Sequence, residues 1–256
     1  MAIINPKELQ PPKPQRDTKP QREIEERLHP DVLIKSSPCL ITREKLIVIG
    51  SSTGGPLALE EIMSMLPTCN LPPIVIAQHI PETFSLTLAK RLDSKSRLSV
   101  FEVNERLTLK NDCAYLAKGG TQIMLSYDSG RYSAYPMVMA PRISRHRPSV
   151  DVLFRAANNT AGKNTLAIML TGMGDDGCIG IKELHDNGSK TIAQDEQTCV
   201  VFGMPKRAIE VGAVDEILPL DKIASKIVEF AKSDLRNGDN KNDSRSSDNK
   251  GEKTPQ

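Results

Sequence analysis

The stretch LIVIGSSTGG at residues 46–55 decides the fold class of this chain. Its four consecutive apolar residues predict a strand buried on both faces, as in a parallel sheet. The glycines that follow permit a tight turn, and Gly50 to Gly54 match the G-x-S-x-G pattern that exposes a nucleophilic serine between a strand and a helix. The predicted nucleophile is Ser52. A phosphate-binding turn is also rich in glycine, so the pattern alone favours an esterase over a nucleotide-binding protein only modestly.

Between residues 45 and 232, short apolar runs alternate with segments of helical spacing, which predicts an α/β fold: a doubly wound, mainly parallel sheet flanked by helices. The predicted strands are 46–49, 74–77, 98–103, 165–170, 191–193 and 216–218, and the predicted helices are 56–66, 84–92, 150–160, 179–187, 206–211 and 221–232. The region of about 113–138 breaks this alternation. Its short β-like pieces, joined at glycine-containing turns, predict an antiparallel β-hairpin insert.

The composition indicates one globular core with two polar ends. The 256 residues include 38% hydrophobic and 26% charged residues, and the net charge of +2 gives no global argument for nucleic-acid or membrane binding. The composition of residues 1–44, rich in proline and charge, predicts a flexible arm, and the polar composition of residues 233–256 predicts a disordered tail. No apolar run approaches the roughly 18 residues of a membrane span, and the N-terminus lacks the apolar core of a signal peptide. We therefore expect a cytoplasmic protein with reduced cysteines and no membrane insertion.

Polar residues that follow predicted strands are the candidate site residues, because the site of an open α/β sheet lies beyond the carboxyl ends of its strands. His79 follows the second predicted strand, and Asp175 and Asp176 follow the fourth. A carboxylate on one imidazole nitrogen would fix the tautomer and stabilise the cation that forms when histidine takes a serine proton. Ser52, His79 and one of these aspartates therefore form a candidate triad. Its chain order differs from the Ser–Asp–His order of α/β-hydrolases.

The other histidines have weaker claims to the role of general base. His29 lies in the predicted flexible arm, and His185 lies on a predicted solvated helix face. His146 is the only rival, but three neighbouring arginines crowd it and disfavour the imidazolium that a general base must become. A nucleotide-binding regulator would need an acidic ribose ligand or a P-loop lysine, and neither is visible in the expected place.

Five ordered motifs closely resemble the catalytic domain of CheB-type chemotaxis protein-glutamate methylesterases. They are IGSSTGG at 49–55, AQHIP at 77–81, RHRPSVDVLF at 145–154, LTGMGDDG at 170–177 and VVFGMPKRAI at 200–209, and the resemblance covers about residues 45–230. It implies Ser52 as the nucleophile, His79 as the general base and acid, and Asp176 rather than Asp175 as the orienting carboxylate. The implied mechanism needs no metal and no organic cofactor.

The resemblance also implies a substrate. That substrate is a glutamate γ-methyl ester on the cytoplasmic helices of a methyl-accepting chemoreceptor, with methanol and glutamate as products, and some members also deamidate receptor glutamines. It implies oxyanion contacts from the neighbourhood of Thr53 and Met173. Arg142, Arg145 and Arg147 are candidate contacts for acidic side chains that flank the ester. The alternative is a non-catalytic module that uses the same cleft to bind a receptor or another signalling partner.

The chain departs from the best-known members of this family in two ways. Those enzymes carry a phosphorylatable receiver domain before the esterase, and the roughly 44 residues before Lys45 are too few for one. We therefore expect a catalytic domain without a receiver. Either its activity is constitutive, or a separate regulatory protein controls it, or it serves another signalling pathway. Ser51 stands where the family commonly has a small residue such as alanine. Alignment of Thr53-Gly54-Gly55 keeps Ser52 as the predicted nucleophile.

Overall fold

The computed structural model describes residues 27–39 and 44–233, so most of the predicted arm and nearly all of the predicted tail lie outside it. Its strands are β1 (Leu46–Ser51), β2 (Ile74–Gln78), β3 (Ser99–Val103), β4 (Leu107–Thr108), β5 (Cys113–Ala117), β6 (Gln122–Asp128), β7 (Arg131–Met137), β8 (Thr165–Met169), β9 (Lys190–Gln194) and β10 (Glu216–Leu218). Its α-helices are α1 (Gly55–Met65), α2 (Glu82–Lys95), α3 (Val150–Thr160), α4 (Cys178–Asp186), α5 (Met204–Glu210) and α6 (Leu220–Lys232). Short 3-10 helices span Pro30–Val32 and Gly162–Asn164.

The centre of the described fold is a parallel sheet of seven strands in the order β10-β9-β8-β1-β2-β5-β3. Every residue of β1, β2 and β8 is buried. These three strands are therefore mainly apolar, with polar residues only at their ends (Ser51, Gln78 and Thr165), because strands covered on both faces have no polar side. The predicted parallel α/β sheet is confirmed.

Helices cover both faces of this sheet. On one face lie α1, α2 and α6, whose buried residues include Leu59, Leu92 and Ile223. On the other face lie α3, α4 and α5, with Phe154 and Leu184 in the shared core. A small antiparallel sheet in the order β4-β7-β6 extends the core of this second face. The predicted doubly wound arrangement is confirmed.

The limits of the predicted hairpin insert need correction. The insert itself exists as the antiparallel pair of β6 and β7, but β5 belongs to the large sheet, where it lies between β2 and β3 and runs parallel to both. Parallel neighbours usually need a long crossover, often a helix. Here residues 104–112 make the crossover by adding β4 to the small sheet.

The predicted flexible arm also needs correction at residues 27–39, which we call the N-terminal strap. The carbonyl of Leu28 accepts a hydrogen bond from the Ser144 amide at 3.0 Å, and the Cys39 amide donates to the Asn158 carbonyl at 3.0 Å. Between these ends, Asp31 forms an ion pair with the buried side chain of Arg155 on α3. The strap therefore lies along the body of the protein.

The order of the strands places a crevice at the carboxyl end of β1. This strand lies between β2 and β8, and the helices that follow β1 and β8 pack on opposite faces of the sheet. Such a reversal opens a crevice beyond the strand ends, where ligands bind in α/β proteins.

Across the described residues, every helix is too short or too polar to cross a bilayer.

Candidate active site

The turn after β1 gives its two serines different environments. Ser51 is fully buried, and its hydroxyl donates a hydrogen bond to Gln78 Oε1 at 2.6 Å. Ser52 is only half-buried. The chain turns directly after it because Gly54 has φ +83°, a conformation that side chains disfavour, and a Cβ there would lie 2.5 Å from Val200 Cβ. The geometry therefore presents Ser52, and not Ser51, to the crevice.

His79 lies beside Ser52 because β1 and β2 pair in a fixed register. Ser51 is opposite Gln78, and the His79 amide donates to the Ser51 carbonyl at 3.0 Å. The next residues, Ser52 and His79, thus leave neighbouring strands whose spacing is about 4.8 Å. The side-chain amide of Gln78 donates to the carbonyls of both Ser52 and His79, each at 2.9 Å. One side chain therefore fixes both turns.

Asp176 binds the imidazole of His79. Its Oδ2 lies 2.7 Å from His79 Nε2, and the two side chains are only 1% and 7% exposed. Three further donors hold the carboxylate: Ser149 Oγ at 2.7 Å, the Val150 amide at 2.7 Å and the Asp151 amide at 3.1 Å. Burial raises the pKa of Asp176, and these three hydrogen bonds oppose the rise because they favour the ionised form. The carboxylate is thus fixed at the N-terminus of α3.

The two ring nitrogens of His79 have different roles in this geometry. Asp176 accepts from Nε2, which assigns the proton to that nitrogen. Nδ1 is buried and has no hydrogen-bond partner among the described residues. Burial lowers the pKa of His79 to about 4, so the ring is neutral at pH 7. Nδ1 therefore carries a lone pair that is available to accept a proton.

Asp175, the alternative aspartate, does not take this position. It is partly exposed and forms an ion pair with Arg27 of the N-terminal strap at 2.5 Å. His146, the rival histidine, is also not in the position of a base. Its ring lies flat against the ring of His79, with the centroids 3.6 Å apart and the planes 6° from parallel. The structure therefore brings both histidines together, with Asp176 bonded to His79.

Thr53 follows Ser52 in the chain, and Met173 follows Gly172, which packs against Ser52. Gly172 makes this possible, because a Cβ at that position would lie 2.8 Å from Ser52 Cβ and a larger residue would push the loop away. Thr53 and Met173 are exposed. Within the described residues, neither backbone N–H group donates a hydrogen bond to the protein. Both amides are therefore available to an oxygen in the crevice.

The three candidate arginines divide into two groups. Arg142 and Arg145 are exposed on the loop between β7 and α3, which also carries His146. Arg147 is half-buried, and its guanidinium donates to the Ala140 carbonyl at 2.8 Å. The first two remain at the surface of the site, while Arg147 supports the loop itself.

The sequence interpretation missed the residues that support the triad. Ser149 caps α3 by accepting from the Val152 amide and also donates to Asp176. A serine directly before a predicted helix is an N-cap signal, so this role was within reach of the sequence. Gln78 lies in the quoted motif AQHIP, but its hydrogen bonds to two backbone carbonyls have no signal in the residue pattern.

The fold and the site define a class of protein: a doubly wound α/β domain with a serine, a histidine and an aspartate at the carboxyl ends of its parallel strands. The chain belongs to the CheB methylesterase family, whose model matches residues 47–227. It is also similar to the crystal structure of the Thermotoga maritima CheB methylesterase catalytic domain, with 41% identity and a TM-score of 0.70 over 74% of this chain and 100% of that one.

Curated proteins with the same printed activities are similar to this chain. Protein-glutamate methylesterase/protein-glutamine glutaminase 2 of Chromobacterium violaceum is 52% identical over 187 residues, which are 73% of this chain and 52% of the relative. Protein-glutamate methylesterase/protein-glutamine glutaminase 3 of Geobacter metallireducens is 45% identical over 210 residues, or 81% of this chain and 59% of the relative. The chain thus spans little more than half the length of these relatives.

Proposed function

We propose that this protein is a serine hydrolase that demethylates glutamate γ-methyl esters on methyl-accepting chemotaxis receptors and releases methanol. The observation that carries the proposal is the 2.7 Å hydrogen bond between His79 and the buried Asp176, directly beside the turn of Ser52. The printed names of the two curated relatives support the substrate class.

The first half of the proposed reaction forms an acyl-enzyme. Ser52 Oγ attacks the ester carbonyl, and His79 Nδ1 takes the hydroxyl proton while Nε2–H remains hydrogen-bonded to Asp176. The imidazolium that forms is stabilised by the Asp176 carboxylate. When the tetrahedral intermediate collapses, the C–O bond to the methoxy group breaks and His79 gives its proton to the leaving oxygen. Methanol departs, and the glutamyl side chain stays esterified to Ser52.

The second half of the reaction uses the same groups. Water attacks the acyl-enzyme while Nδ1 of His79 takes one of its protons, and the proton then returns to Ser52 Oγ as glutamate is released. The amides of Thr53 and Met173 donate to the oxyanion in both halves. Loss of one such donor typically raises the barrier by about 3–4 kcal/mol.

A receptor glutamine fits the same sequence of steps, with ammonia as the leaving group instead of methanol. The names of both curated relatives include protein-glutamine glutaminase. We therefore include deamidation of receptor glutamines in the proposal. Arg142 and Arg145 contact acidic side chains that flank the reacting residue. The reaction takes place in the cytoplasm on the helices of the receptor.

The direct test is methanol release from membranes that carry methylated chemoreceptor, with the purified full chain as the enzyme. We expect methanol in step with new glutamate at the former ester positions, measured by mass spectrometry of receptor peptides. Membranes with unmethylated receptor are the control and should yield no methanol. Receptor binding without methanol release would instead support the non-catalytic binding module, because such a module needs the cleft but not the chemistry.

A further inference from the structure

The ring of His146 covers one face of the His79 ring. The centroids are 3.6 Å apart and the planes differ by 6°, so the two imidazoles overlap face to face. His79 follows β2, whereas His146 lies far along the chain in the loop between β7 and α3. A water molecule cannot enter between rings at this distance. His146 therefore removes solvent from a group that must change its charge during the proposed reaction.

The loop that carries His146 holds this ring in a defined position. The His146 amide donates to the Ile143 carbonyl at 2.8 Å, and the His146 carbonyl accepts from the Ile143 amide at 3.1 Å and from Gln122 Nε2 at 2.9 Å. Ser144 and Arg145 have φ of +49° and +69°. Left-handed backbone is strained at residues other than glycine. Such a conformation persists only where surrounding contacts determine it, as they do here.

The charges around His146 favour a neutral ring. The pKa of His146 is lowered to about 4, mainly by burial and also by the nearby His79 and Arg142, while Asp176 and Asp175 act in the opposite direction. Burial also lowers the pKa of His79 to about 4, against the opposing effect of Asp151, so its ring is neutral at pH 7. Two neutral rings stack without repulsion.

We propose that His146 is a positioning residue that holds the His79 imidazole in the plane of its hydrogen bond to Asp176 and keeps water from its face. This proposal rests on the proposed function, because that function supplies the reaction in which His79 takes part. In this role His146 takes no proton and forms no bond to the reacting atoms. It acts through the orientation and the solvation of His79.

A smaller side chain at position 146 would remove both the cover and the support of the His79 ring. In His146→Ala, one face of His79 is open to water, so the cost of charging the ring falls and its pKa rises from about 4 toward 6.5. The ring is also free to tilt away from the line between Asp176 and Ser52. Misplacement of a catalytic group by about 1 Å costs up to roughly 100-fold in rate.

The experiment compares the full-length wild type with His146→Ala and His146→Phe over the range of pH. Phenylalanine restores a flat apolar ring without an ionisable group. We expect His146→Ala to lower kcat about 10- to 100-fold at pH 8 with little change in KM, and about tenfold more at pH 5.5, where a His79 of pKa 6.5 is about nine-tenths protonated. His146→Phe should recover most of the rate, and the acid limb of its kcat–pH profile should stay at the low pH of the wild type. His185→Phe on α4 makes the same replacement outside the site and should change neither quantity.

A second readout does not depend on the substrate. Titration of the His79 ring resonance by NMR in the same variants should show the pKa raised in His146→Ala and kept low in His146→Phe, with circular dichroism to verify folding. An unchanged rate and titration in His146→Ala would overturn the proposal. Failure of His146→Phe to restore either quantity would also overturn it. If the wild type releases no methanol, the proposed function fails, and the titration alone still decides the role of His146.

Discussion

Asp175 and Asp176 are neighbours in the loop after β8 and have opposite environments. Asp175 is partly exposed and is paired with Arg27. Asp176 is buried and accepts four hydrogen bonds, one from His79 and three from the start of α3. A buried carboxylate with this many donors is held in one orientation, which is what a group that orients an imidazole requires.

Replacement of Asp176 by asparagine should therefore remove most of the activity. The amide NH₂ group would face hydrogen-bond donors in place of a carboxylate oxygen, and it would favour the wrong tautomer of His79. We expect methanol release to fall by roughly 10³-fold or more. The matched control, Asp175→Asn, removes the same charge from the adjacent residue and should stay within about threefold of the wild type. Equal losses in both variants would contradict the assignment of Asp176.

The buried state of His79 predicts an unusual pH dependence. Because burial lowers its pKa to about 4, the neutral form that accepts a proton is present above that pH and is lost only as the pH falls through it. The acid limb of kcat/KM, which reports groups of the free enzyme, should therefore lie near pH 4 instead of near 6.5. Circular dichroism at each pH separates this titration from unfolding. An acid limb near pH 6.5 in folded protein would contradict the described environment.

The sequence pattern predicted Ser52, His79 and one of the aspartates 175 and 176 because each follows a buried strand, and parallel strands place their carboxyl ends at one edge of the sheet. The choice of Asp176 came from the family resemblance. The stacking of His146 on His79 was beyond the reach of sequence patterns. It depends on how the loop between β7 and α3 folds back over the sheet, which is fixed by hydrogen bonds such as that from Gln122 to the His146 carbonyl.

The N-terminal strap is held both by polar contacts and by the packing of Leu28, Leu33 and Ile34 against a small buried apolar cluster. Arg155 on α3 is buried and is paired with Asp31 of the strap and with Glu183 of α4. It also donates to the Ile34 carbonyl at 3.0 Å. A buried guanidinium with two carboxylate partners joins the strap to both helices.

Removal of one partner of this guanidinium should loosen the strap. Asp31→Ala leaves Arg155 with Glu183 alone, and because Asp31 is itself largely exposed, we expect a loss of about 1–2 kcal/mol in the free energy of unfolding. Urea denaturation measures this loss. Trypsin should also cut faster after Lys35 in the strap. Glu105→Ala, which removes an exposed carboxylate elsewhere, is the control; equal stability and equal cleavage in both variants would contradict the anchoring role of Asp31.

The strands could be predicted from the sequence and the strap could not, and the reason is physical. The buried strands have a continuous apolar pattern that is typical of a parallel sheet, and they were predicted correctly. The assignment of β5 to the insert was wrong because a short crossover between parallel strands, here through β4, is not encoded in periodicity. The strap was missed because Asp31 and Arg155 meet across 124 positions of the chain.

For the molecule as a whole, charge is nearly balanced, with 34 basic and 32 acidic residues. Any attraction to an acidic partner therefore comes from the local distribution of charge. Arg142 and Arg145 are exposed on the loop that borders the site. A receptor helix with acidic residues beside its ester would approach this side of the crevice.

Reversal of these two charges should weaken receptor recognition without changing the chemistry. The double variant Arg142→Glu/Arg145→Glu should raise KM for methylated receptor about tenfold at low salt, leave kcat unchanged, and reduce the dependence of kcat/KM on ionic strength. Lys90→Glu/Arg97→Glu makes the same change of charge on exposed residues of α2 and the loop before β3. Similar KM values in the two double variants would argue against a specific contact at the site.

The role of Ser52 as the nucleophile of an esterase can be tested by comparing methanol release from methylated chemoreceptor by the wild type, Ser52→Ala and Ser51→Ala. We predict no release above background in Ser52→Ala. Ser51→Ala removes one buried hydrogen bond and leaves Gln78 Oε1 without that donor, which costs about 1–3 kcal/mol of stability. It keeps the Ser52 hydroxyl and should retain more than about a tenth of the activity. Activity that survives in Ser52→Ala, or that disappears equally in both variants, would contradict the account.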